Sequence, residues 1–159
     1  PVEGDLRLGG RYQVQGNAGG EVIACDPPRS FTVTWEYGGE ASWVTITLVE
    51  RDAETTHFTL EHVGHVPEEF WSQYGPGATG VGWDLGLMGL ALHLETGESA
   101  VNSPQAENTW AASDEGRAYI YGAADGWVAA AIVDGDDPEA ARAAGQNTKG
   151  FYTGLPPEA

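Results

Sequence analysis

Four histidines are the first candidates for chemistry in this chain, because a neutral imidazole can bind a metal or move a proton near neutral pH. They are His57, His62, His65 and His93. His62 and His65 are three residues apart at the end of a predicted strand, and Glu61 faces the opposite side from His62. No HExxH sequence and no paired cysteines accompany them, so the pattern predicts neither a metal nor another cofactor. A hydrogen-bonded histidine is the simplest interpretation.

Asp84 is the carboxylate of most interest, because it interrupts an apolar segment that extends from Val81 to Leu94. The sequence places it near the first turn of a helix, where the helix dipole would favour its charge by about 0.3–1 kcal/mol. The functional alternative is a polar anchor or proton acceptor inside a cavity, with a pKa raised by burial.

Aromatic side chains that could line a ligand pocket, or fill a core, occur on both sides of these polar residues. The predicted ligand-contacting residues are Trp35, Phe58, His62, Phe70, Trp71, Tyr74, Trp83, Asp84 and Leu87. No residue is predicted to be catalytic, since the chain has no GxSxG, Walker or GxGxxG motif in the required context.

The charge of the chain restricts its partners. Its 159 residues include 24 Asp and Glu but 7 Lys and Arg, for a formal net charge of −17. Such a surface repels phosphate, which argues against nucleic acid and membrane surfaces as partners.

The longest apolar stretch, 77–96, contains Asp84 and His93 and makes a poor membrane span, so we expect a cytoplasmic protein. The chain begins at Pro1 and its one methionine is Met88, so we expect a missing amino terminus.

The first half of the chain predicts an antiparallel β-meander. Apolar and polar residues alternate in SFTVTWEY, SWVTITLVE and TTHFTLEHV, the period expected of strands with one wet and one covered face. Two earlier strands are predicted through Tyr12 and Val22, joined by a turn at residues 16–20 in which Gly19 and Gly20 permit the reversal.

The second half predicts helices. A short helix is expected from Pro67, and a helix of about four turns after Gly77, apolar on every side and so buried on every side. Further helices are predicted across residues 104–153, on the outer flank of the long one. One of these helices is predicted to have its N-terminal cap at Ser103. The last one is predicted to start at Asp137 and to end at Gly145.

Several motifs of the chain resemble the SRPBCC superfamily, which includes the START and birch-pollen-allergen-like proteins. They are LGGRYQVQGNAGGEVIACDPPRSFTVTWEYGG, SWVTITL, TLEHVG and FWSQYGPGATGVGWDLGLMGL. Within the superfamily they are similar to the branch named after the activator of the heat-shock-protein-90 ATPase, from about Gly4 to Leu94. The tail, with NTWAASDEGRAYIYGAADGW and FYTG, is similar to an extension of some bacterial members.

The resemblance implies an α+β helix-grip fold, in which a curved antiparallel meander wraps around a long C-terminal helix and a helical tail is appended. We expect a helix-grip domain over residues 1–97 and a helical extension over 98–159 that packs on the same domain. Members commonly begin with a strand and two short helices. We expect the chain to start after them, so a complementing N-terminal segment or a homodimer is expected to close the sheet edge.

The resemblance also implies a cavity that often holds a hydrophobic small molecule, so we expect a binding protein for an apolar or aromatic compound. Three alternatives remain open, because the fold does not fix the function. They are an enzyme of the polyketide cyclase or aromatase type, a chaperone-activating protein-interaction module, and an antibiotic-sequestering resistance protein.

Overall fold

A computed structural model describes residues 2–99, 105 and 109–156. The chain divides into two units, Pro1–His65 and Val66–Ala159, and each is described by itself. The predicted cap at Ser103 lies outside the described residues.

The first unit is a six-stranded antiparallel sheet in which each strand pairs with the next along the chain. The strands are β1 (Val2–Gly4), β2 (Arg11–Val14), β3 (Gly19–Asp26), β4 (Ser30–Tyr37), β5 (Glu40–Glu50) and β6 (Thr56–Val63). The predicted meander is therefore confirmed.

The register places the alternating apolar residues of neighbouring strands on one face of the sheet. Val33 lies opposite Val44, and Val44 lies opposite His62, and directly opposed residues share a face. Val22, Val33 and Val44 are buried. These three valines form the apolar floor from which the larger side chains of the same face extend.

The predicted role of Gly19 and Gly20 in the turn is wrong, because both residues begin β3. The reversal lies just before them, with Gly16 in the left-handed region at φ 71°. Gly20 has a different role: a Cβ built on it would lie 2.0 Å from the carbonyl oxygen of Thr34. The close approach of β4, and not a chain reversal, excludes a side chain at this position.

The second unit is helical. Its helices are α1 (Glu68–Tyr74), α2 (Gly77–Thr96), a short 3₁₀ helix (Trp110–Ala112), α3 (Asp114–Asp134) and α4 (Pro138–Thr153). The side chains of Ser113 and Asp137 cap α3 and α4 by accepting hydrogen bonds from backbone N–H groups of the first turn. Val81, Ile120 and Ala124 form the buried centre of this unit. No helix among the described residues is both long and apolar enough to cross a membrane.

Two predictions about these helices are wrong. α4 does not close at Gly145 but continues to Thr153, and Gly154 at φ 69° ends it. Gly145 lies inside α4. Glycine is favoured there because a Cβ would come within 2.3 Å of Val128 Cγ2 on α3. α2 is also not buried on every side, since Leu94 near its end is 75% exposed. The contacts between α3 and α2 described below involve the first half of α2.

Candidate functional site

Three side chains meet on the apolar face of the sheet: Trp35 on β4, Ser42 on β5 and His62 on β6. Ser42 Oγ lies 2.8 Å from His62 Nε2 and 3.2 Å from the carbonyl oxygen of Trp35. The rings of Trp35 and His62 are 6.1 Å apart in an edge-on arrangement. We call these three residues the sheet-face cluster; it places a hydroxyl and an imidazole beside an indole.

Burial lowers the pKa of His62 below its ordinary value of 6.5. The imidazole is therefore neutral at physiological pH, with one nitrogen that donates and one that accepts a hydrogen bond. Such a pair with Ser42 can hold a polar group of a ligand without placing a charge on the apolar face.

Tyr12 extends the sheet-face cluster across the sheet. Its ring lies 6.4 Å from that of Trp35, and its hydroxyl donates a 2.7 Å hydrogen bond to the carbonyl oxygen of Thr34. Tyr12 belongs to β2 and Thr34 to β4, so the side chain crosses β3, where its direct partner in the register is Gly20. Burial and, second, the nearby Glu36 carboxylate raise the pKa of Tyr12. The phenol is thus held as a neutral donor.

The structure brings together two of the three ligand-contacting residues predicted on the sheet, Trp35 and His62. Phe58 lies on the same face but four residues before His62 along β6, so it extends the face. Ser42 and Tyr12 were not predicted as site residues. Ser42 could have been found from the alternation of β5, because it is two residues before the apolar Val44 and therefore lies on the same face.

The predicted site residues of the helical unit lie in two places. Phe70 and Tyr74 belong to an aromatic series with Phe151, in which Tyr74 is 5.2 Å from Phe70 and 5.6 Å from Phe151. Trp71, next to Phe70 on α1, is largely exposed. The second place is α2, which carries Trp83, Asp84 and Leu87.

Asp84 is eight residues into α2 and not in its first turn, so the predicted stabilisation by the helix dipole does not apply. Two residues of α3 hold it instead. Trp127 Nε1 donates a 2.9 Å hydrogen bond to Asp84 Oδ2, and the Tyr119 hydroxyl donates a 2.7 Å bond to the Asp84 carbonyl oxygen. Burial and, second, the Asp84 charge raise the pKa of Tyr119. The Asp84 side chain is thus half-buried and held by α3, and its role as a polar anchor stays a prediction.

In the part of the chain that the structure describes, no three His, Cys, Asp or Glu side chains are grouped as a metal site would need.

Comparison with known proteins finds a matching family and similar solved structures. Residues 1–95 match the family described as Activator of Hsp90 ATPase homolog 1-like protein. The crystal structure of CalU16 from Micromonospora echinospora is 30% identical, with a TM-score of 0.56 over 80% of this chain and 67% of that one. The solution NMR structure of CalU16 is also 30% identical, with a TM-score of 0.60 over 85% of this chain and 71% of that one. No curated protein matches significantly.

Proposed function

The chain belongs to the family of proteins like the activator of Hsp90 ATPase homolog 1, with the α+β fold of the SRPBCC superfamily, and we propose that it binds an apolar or aromatic small molecule. The sheet-face cluster is the observation that carries this proposal. It combines an indole surface with one neutral hydrogen-bonding pair, the composition typical of small-molecule sites.

The chemistry of the cluster defines the kind of ligand. The Trp35 ring offers apolar contact, while the Ser42 hydroxyl and the His62 imidazole are the polar groups that a hydroxyl or carbonyl group of the ligand would contact. Because His62 is neutral, no charge is required of the ligand. We therefore expect an uncharged aromatic compound with one polar substituent.

The ligand-contacting residues predicted in the helical unit stay predictions within this proposal. They are Phe70, Trp71, Tyr74, Trp83, Asp84 and Leu87. The proposed site is defined by the sheet residues, and its test is confined to them.

The test is isothermal titration calorimetry with 1-naphthol, an uncharged aromatic probe with one hydroxyl. We expect Trp35→Leu to weaken binding at least fivefold, because the indole surface is lost. Trp43→Leu is the matched control: Trp43 lies on β5 but on the opposite face, paired with Thr34, and is 46% exposed. Equal affinities of the two variants, or no saturable binding to the wild type, would contradict the proposal.

The neutral imidazole beside a hydroxyl also favours a second candidate, a cyclase of the polyketide type. His62 would remove a proton from a carbon next to a ketone, and the resulting carbanion would attack a second ketone of the same chain, with loss of water. Heptane-2,4,6-trione is a suitable probe, since its cyclisation gives 3,5-dihydroxytoluene and one water. Formation of this product by the wild type at a rate above that of His62→Gln would support the enzyme; equal rates would exclude this reaction.

A further inference from the structure

The helical unit contains an open groove of about 640 Å³ beside Asp84 and α3. Four small residues of α3, spaced four apart and therefore on one stripe of the helix, form its floor. They are Ala118, Gly122, Gly126 and Ala130. The groove is lined at its polar part by Asp84, Tyr119 and Trp127.

The floor of this groove is open. A Cβ built on Gly122 or Gly126 would meet no described atom within 4 Å, whereas one on Gly80, in α2, would collide with Trp127. Glycine inside a helix lowers its stability relative to alanine, so these two residues weaken α3 although no described atom occupies the space that their side chains would fill. They leave room for an apolar body to lie against the helix backbone.

Asp84 is the charged group of this groove. Among the described residues, the carboxylate accepts one hydrogen bond, at Oδ2 from Trp127 Nε1, and the Tyr119 hydroxyl donates to the backbone carbonyl oxygen of the same residue. None of the ion pairs among the described residues involves Asp84. An ionised carboxylate can accept several hydrogen bonds, so a held carboxylate with one donor has capacity for another.

We propose that this groove binds a small organic amine in its ammonium form, with the ammonium group at the Asp84 carboxylate and the apolar body over Gly122 and Gly126. The Trp127 indole lines the groove and offers the face that best attracts an organic cation. The net charge of −17 favours the approach of a cation and disfavours an anion. This inference can be tested separately from the sheet-face cluster, because every residue it uses belongs to the helical unit.

The test compares two ligands of the same shape, 2-(1-naphthyl)ethylamine and 2-(1-naphthyl)ethanol, by NMR titration of the full chain. The indole N–H signal of Trp127, assigned by its loss in Trp127→Phe, reports on the groove. We expect a saturable shift with the amine and at least tenfold weaker binding of the alcohol. Equal affinities, or no saturable shift of this signal, would overturn the proposal.

Two variants separate charge from shape. Asp84→Asn keeps an oxygen acceptor for Trp127 Nε1 but removes the charge, and we expect it to weaken amine binding at least tenfold. Gly122→Leu fills the open floor and should block both ligands. Asp134→Asn, at the exposed end of α3, is the control and should bind the amine like the wild type. An unchanged affinity in Asp84→Asn, or an equal loss in the control, would refute the site.

Discussion

The indole ring of Trp127 occupies the space that a side chain at residue 80 would need. A Cβ built on Gly80 would lie 2.0 Å from Trp127 Cε2 and 2.4 Å from Nε1. Asp84, one helical turn after Gly80, accepts the hydrogen bond of the same indole nitrogen. Gly80 therefore lets α3 approach α2 closely enough for Trp127 to reach the carboxylate.

We expect Gly80→Ala to lower the free energy of unfolding by about 1–3 kcal/mol, because the new methyl group collides with a rigid, half-buried ring. The measurement is urea denaturation of the wild type and the variant. The same substitution should also move the NMR signal of the Trp127 indole N–H, since the ring must leave Asp84.

Gly86→Ala is the matched control for this prediction. Gly86 lies on the same helix, but a Cβ there would meet no described atom within 4 Å. The substitution should raise the free energy of unfolding by about 0.5–1 kcal/mol, the helix preference of alanine over glycine. A similar loss of stability in both variants would show that the Trp127 contact is not the cause.

We expect Tyr12→Phe to lower the free energy of unfolding by about 0.5–1.5 kcal/mol, because it removes the 2.7 Å hydrogen bond to the Thr34 carbonyl oxygen while keeping the ring. Tyr37→Phe, at a position 63% exposed, should stay within about 0.5 kcal/mol of the wild type. Thermal or urea unfolding of both variants checks the prediction, and a cost no larger at residue 12 than at residue 37 would contradict it.

The lowered pKa of His62 predicts a pH dependence of stability. Because the unfolded chain binds the proton more readily, the contribution of His62 is fully present above about pH 6.5 and decreases as the pH falls toward the folded-state pKa. Urea unfolding between pH 7.5 and 5 should show this decrease in the wild type. His62→Gln should remove it, whereas His57→Gln, exposed on the same strand, should leave it in place. An unchanged slope in His62→Gln would refute the assignment.

The ammonium group of Lys149 lies in the helical unit with 9% of its side chain exposed. It pairs with Asp125 at 2.7 Å and lies 5.1 Å from the centre of the Tyr121 ring. Asp125→Ala leaves this cation without its carboxylate and should lower the free energy of unfolding by about 1–3 kcal/mol. The loss is smaller than for a fully buried ion pair, because Asp125 is 64% exposed.

Lys149→Met provides the comparison, since it removes the charge but keeps the apolar stem. We expect it to lower the free energy of unfolding by less than about 1 kcal/mol, because no buried charge is left unpaired. Urea denaturation of the two variants tests the order of the effects. A larger loss in Lys149→Met than in Asp125→Ala would show that the ammonium group has stabilising contacts beyond this pair.

The sequence alone determined the class of the fold, because its signals are local and periodic. The alternation in β4, β5 and β6 gave the strands and their apolar face, and therefore the common face of Trp35, Phe58 and His62. The same alternation already contained Ser42, two residues before Val44. The motifs between Gly4 and Leu94 also identified the family that residues 1–95 match.

The structural role of individual glycines could not be predicted from the sequence. Gly20 and Gly145 suggested a turn and a helix end, but each lies inside a regular element where another strand or helix passes too closely for a side chain. A turn and a close approach both require glycine, and only the neighbour's position distinguishes them.

The surroundings of Asp84 were decided by the tertiary structure alone. Its hydrogen-bond donor Trp127 is 43 residues away in the sequence, and no spacing rule connects positions on two different helices. The groove exists because Gly80 admits the indole while Gly122 and Gly126 leave the floor of α3 open. Periodicity assigns residues to a helix, but which faces of two helices meet is settled by packing, and packing determines what Asp84 can bind.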